Sequence, residues 1–184
     1  EEYEMSTNEF TFISSNNIPK EKGVNRFSWD MRHRGSWSKN PNFSFRNGPL
    51  VKPGVYNVTL TIDGKSHSET FEILSDPRLS EISSSIYNEQ ETILLEIRDF
   101  LSDVRIFENK ILMMLEKRPK NKNLLSISKR ISTSEGTYMQ PKLIDQIRYL
   151  QSMLSRADQK PGLDALNRLN ELKSEFKLLK SKSG

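Results

Sequence analysis

The densest group of chemically capable side chains is Asp30, Arg32, His33 and Arg34, set beside Trp29 and Trp37. Arginine and aspartate with flanking aromatic rings are the materials of a sugar site. A second reading competes with it. Trp29 is then the core of a β-sandwich, and Asp30 to Arg32 a strand-end turn or ion pair. Aromatic residues dominate cores, so the second reading is preferred. Trp29→Ala is then expected to cost about 3–5 kcal/mol. A ligand or docking surface is expected at Trp37, Phe43, Phe45, Arg32, His33 and Arg34.

Other chemistry finds no constellation. Glu89, Glu91, Glu96, Asp99 and Asp103 fall on one predicted helix, but a di-iron bundle needs Glu-x-x-His from two helices. Neither of the 2 His lies in that half of the chain. Nothing marks a pair of carboxylates about 5 Å apart, as retaining glycosidases require. Phosphate loops, nucleophile elbows and His-Glu-x-x-His do not occur. With 0 Cys there is no disulfide or thiolate zinc site. No catalytic residue, metal or cofactor is assigned. Asn42-Phe43-Ser44 and Asn57-Val58-Thr59 are glycosylation sequons, relevant only in a eukaryotic secretory host.

The elements that must position these residues divide the chain into a β part over 1–76 and a helical part over 77–184. In Val55 to Ile62, Tyr56, Val58, Leu60 and Ile62 share one face, the period of a half-buried strand. Asp63-Gly64 is a strong hairpin signal, and Phe71 and Ile73 return on the same face. Asp76-Pro77 closes the second strand. Asn25 to Asp30 alternates again, and Phe10 to Ile13 is a weaker strand. Residues 31–52 are a long loop, either functional or a surface insertion. Four strands fall short of the roughly seven of an immunoglobulin-type sandwich. The unit therefore reads as incomplete at its N-terminus, with its open face covered by upstream strands or by another chain.

In the second part Ile93, Ile97, Phe100, Val104, Phe107, Ile111 and Met114 repeat at steps of 4 and 3. Leu94, Leu101, Leu112 and Leu115 widen the stripe to a bundle face. The spacing predicts a helix that starts near Leu79 and ends before Pro119, about 58 Å long. A short helix over Leu124 to Ile131 follows. Pro141 opens a third, and Asp158 to Gly162 is a turn into a fourth carrying Leu166, Leu169, Leu172, Phe176 and Leu179. The predicted class is α+β: a partial immunoglobulin-like antiparallel β-sandwich followed by an antiparallel helical bundle with one long first helix.

Hydrophobic residues make up 34% of the 184 residues and mean hydropathy is -0.66, polar for a globular chain yet too rich in Leu, Ile and aromatics for a disordered one. No apolar run reaches the roughly 18 residues of a membrane helix. Residues 1–76 hold 9 basic and 10 acidic side chains, so the net +4 arises in the helical part. Its basic clusters, Lys117 to Lys122 and Lys173 to Lys182, sit where helices end and offset helix dipoles, so no nucleic-acid partner is expected. The chain opens Glu1-Glu2-Tyr3-Glu4, as expected of a processed chain or a fragment, so a missing leader says nothing of compartment.

Gly23-Val24-Asn25-Arg26-Phe27-Ser28-Trp29-Asp30-Met31-Arg32, Gly48-Pro49, Pro53-Gly54-Val55-Tyr56-Asn57-Val58-Thr59-Leu60, Asp63-Gly64 and Asp76-Pro77-Arg78 follow in that order. In order and spacing they resemble the C-terminal region of Asp-box (BNR) repeat, sortilin-like propeller proteins of Bacteroidota, often labelled glycosyl hydrolase. His33-Arg34 departs from the aromatic-Pro of that pattern, and the propeller with its Asp-boxes is not in this chain. The resemblance implies a non-catalytic docking module of a secreted or cell-envelope protein. Its partner would be the propeller part of the same polypeptide or another envelope subunit. The alternative is an accessory carbohydrate-binding module with a glycan ligand.

Overall fold

A computed structural model describes residues 21–183. Two strands, β1 (Gly54–Ile62) and β2 (Lys65–Ile73), precede four helices, α1 (Ser84–Lys117), α2 (Lys122–Ile131), α3 (Leu143–Leu154) and α4 (Leu163–Ser181). The protein is thus mixed α and β, with a two-stranded antiparallel sheet. The expected strand at Phe10 to Ile13 lies outside the described residues. The expected strand over Asn25 to Asp30 is not formed. Trp29 instead docks on the hairpin as a single side chain, so the alternation of Phe27 and Trp29 does not come from strand pairing. Trp29 is half-buried there, and is not the core residue the sequence suggests.

Helix α1 starts later than its apolar pattern implies. Asp76 to Ile82 forms successive turns, with Leu79 N donating to Asp76 O and Ile82 N to Leu79 O, each at 3.0 Å. Ser83 then caps the helix through its side chain, which accepts from Ile86 N. The 34 residues of α1 span about 51 Å. Asn121 caps α2 by accepting from both Asn123 N and Leu124 N.

All four helices contribute to one apolar core. The seam from Ile93 to Ile111 is buried throughout, while Met114 lies at its margin and Leu112 faces solvent. Phe176 of α4 meets Phe100 and Phe107 edge-on, at 5.7 and 5.4 Å between centroids. Gln90 is a buried polar residue beside this core. Its Nε2 donates to Leu154 O at 2.8 Å, the last carbonyl of α3, and to Ala157 O at 2.7 Å in the turn that follows.

Residues 31–52 are not a free insertion. The two limbs of this loop pair irregularly: His33 N donates to Pro49 O, Gly35 N to Phe45 O, Phe45 N to Ser36 O and Val51 N to Met31 O. The limbs approach so closely that a Cβ on Gly35 would lie 1.9 Å from Arg46 O, and one on Gly48 2.1 Å from His33 O. The paired limbs lie along α1, bonded to Glu91, Arg98, Ser102 and Arg105.

Candidate docking surface

The hairpin is turned by Asp63 (φ 49°) and Gly64 (φ 77°), the two positive φ values that a type I′ turn demands. Its register pairs Tyr56 with Phe71, Val58 with Glu69, Leu60 with His67 and Ile62 with Lys65. One face is a hydroxyl and amide ladder. Thr59 Oγ1 and Ser68 Oγ lie 2.8 Å apart, as do Thr61 Oγ1 and Ser66 Oγ, and Thr70 Oγ1 donates to Asn57 Oδ1 at 2.9 Å. The other face is apolar along β1 and at Phe71, while β2 sets Glu69, His67 and Lys65 opposite Val58, Leu60 and Ile62. At its base Trp29 packs edge-on against Tyr56 and Phe71, at 6.1 and 6.2 Å, and those two rings stack on each other at 5.9 Å. Beyond this cluster Val58, Leu60 and Ile62 are 54%, 47% and 56% exposed.

The base of the hairpin is tied to the helical core through one carboxylate. Glu91 Oε1 accepts from His33 Nε2 at 2.9 Å and from Lys52 N at 3.0 Å, while Oε2 lies 3.3 Å from Lys52 Nζ. His33 is buried and Glu91 nearly so. Burial pushes the Glu91 carboxyl up, but the hydrogen bonds from His33 and Lys52 outweigh it and leave the group below its usual value. Tyr56 adds a bond at the same corner, donating to Lys52 O at 2.6 Å. Burial, then the charge of Glu91, raises its phenol.

Of the six residues singled out in the sequence, His33 is buried, Arg32, Arg34, Trp37 and Phe45 are half-buried, and Phe43 is exposed. His33 is the buried partner of Glu91. Arg32 donates to Gly48 O at 3.0 Å within the loop. Trp37 is half-buried, its N–H on Ser102 Oγ and its carbonyl on Arg105. The Arg34 guanidinium lies 4.1 Å from the ring centroid of half-buried Phe45. Phe43 is 68% exposed. Sequence reasoning placed the other half of these contacts nowhere. Glu91, Arg98, Ser102 and Arg105 recur at steps of 7, 4 and 3, a polar stripe on α1 beside the apolar one, and that spacing was the available signal.

A concavity of about 760 Å³ runs between α1 and α4. Glu96, Asp99 and Asp103 form one wall and Lys173, Lys177 and Lys180 the other, over Phe100 and Phe176. Lys173 pairs with Glu96. The basic cluster near the C-terminus thus faces acidic residues of its own chain. Among the described residues no three His, Asp or Glu side chains gather as a metal site, and no helix is long and apolar enough to cross a membrane. No family model matches the chain, and neither do curated proteins or solved structures.

Proposed function

We propose that this chain is a non-catalytic docking module of a secreted or cell-envelope protein. In this reading the hairpin is part of an immunoglobulin-like sheet that is completed from outside the described residues. The covering piece is a propeller part of the same polypeptide or another envelope subunit. The observation that carries the reading is the apolar row of β1, anchored at its base by Trp29 but open at Val58, Leu60 and Ile62, with Glu69, His67 and Lys65 beside it on β2. Isolated two-stranded hairpins are marginal in water, and open apolar faces are normally covered.

A photo-crosslinking side chain at Leu60, in the parent polypeptide at its native location, tests this. Crosslinks to residues upstream of Glu1 or to another subunit are expected. Crosslinks confined to residues 21–183 of the same chain would overturn it. The glycan-binding alternative keeps one observation in its favour, the exposed ring of Phe43. Glycan-array binding that disappears in Phe43→Ala would carry that alternative instead.

A further inference from the structure

The two outer edges of the hairpin are built differently. β1 carries no charged side chain over Gly54–Ile62. β2 carries Lys65, Glu69 and Glu72 as well as His67. An unpaired edge is a template for another strand, and charged side chains are a usual protection. That protection is present on β2 and missing from β1. Among the described residues no strand pairs with the outer edge of β1.

We propose that β1 pairs with β1 of a second copy of this chain, antiparallel across a two-fold axis, to give a four-stranded sheet in the order β2-β1-β1-β2. Full overlap of the nine residues sets Val58 opposite itself, Tyr56 opposite Leu60, Asn57 opposite Thr59 and Val55 opposite Thr61. Every pair joins positions of equal parity, so the apolar row of β1 meets its apolar counterpart and the polar row its polar one. Asn57 opposite Thr59 repeats the amide–hydroxyl pairing that Asn57 already makes with Thr70. No charges confront one another. The same operation on β2 would set Glu69 against Glu69, and like charges directly opposite are destabilising. The charge pattern therefore permits one self-pairing and opposes the other.

The geometry leaves room for the rest of the molecule. The helical part is joined to the hairpin at the Gly54 and Ile73 end. Antiparallel pairing places that end of one copy beside the Ile62 tip of the other. The two helical cores then sit at opposite ends of a sheet about 30 Å long. A two-fold contact is closed, and the charged β2 edges flank it, so association stops at the dimer. This proposal concerns the edge of the sheet and does not depend on what covers its apolar face.

Sedimentation equilibrium of the 184-residue chain, from micromolar to submillimolar, tests it with a charge exchange at the two-fold axis. One variant is Val58→Lys, whose ammonium faces Glu69 within its own hairpin. The other combines Val58→Glu with Glu69→Lys, keeping an opposite-charge pair in the hairpin. The wild type is expected to dimerise reversibly. Each variant alone should self-associate more weakly, on the order of tenfold, and an equimolar mixture should recover the dimer. Amide exchange at Asn57, Thr59 and Thr61 should slow with concentration in the wild type alone. A wild type that stays monomeric throughout overturns the proposal. So does a dimer that neither variant weakens, or a loss that the mixture fails to restore.

Discussion

Glu91 holds both ends of the 33–52 loop, His33 at its entry and Lys52 at its exit, on one carboxylate. Its folded value lies below the unfolded value of 4.5. The stability it contributes is therefore present above that unfolded value and is lost as pH falls through the lower, folded value. Glu91→Gln should be destabilised near neutrality, and the gap to wild type should close as pH is lowered from about 6 to about 3. Thermal melts across that range check it; a gap that widens in acid would contradict the assignment. Gln90 acts by another route, since its amide is matched to two carbonyls. Gln90→Leu removes both donors while keeping bulk, and should cost about 1–3 kcal/mol in urea unfolding. Neither role was legible in the sequence. The partners lie 58 and 64 residues away, and a Glu or Gln on a helix face reads as a solvated residue until its neighbour is known.

Elements with local determinants were legible. The hairpin followed from Asp63-Gly64 and the alternation before it, and the helices from repeats of 3 and 4 with Pro and Gly at their ends. The apolar repeat extends back through Leu79 and Ile82, but the Ser83 cap decides where α1 begins. The 31–52 segment carries no period of its own, since its conformation is set by bonds to α1. Its tight pairing makes Gly35 a sensitive position. Gly35→Ala must push the limbs apart and should cost about 1–3 kcal/mol. Proteolytic nicking between 31 and 51 should rise as His33 and Trp37 lose their seats. An unchanged digestion pattern would show that the limbs are less close than described.

At the scale of the molecule, the core belongs to the helices and the hairpin stands outside it. Trp29 lies on the hairpin side of this division, which reverses the expectation of a large global cost for its loss. Trp29→Ala should leave the main melting transition, followed by far-UV circular dichroism, within about 0.5 kcal/mol of wild type. Amide exchange in β1 and β2 should instead quicken. A fall of several kcal/mol in the main transition would place Trp29 in the core after all.

The way the loop is fastened has a mechanical consequence. Between His33 and Trp37 it follows α1 from Glu91 towards Arg105, and it returns through Lys52 to Glu91 before the hairpin begins. A tension applied through β1 reaches α1 first at Glu91, with Arg98, Ser102 and Arg105 ranged behind it on the same helix face. Load along the helix axis shears these attachments together, whereas load across it peels them one after another from Glu91. A module that docks by its hairpin would therefore resist pulling in one direction far better than in the other.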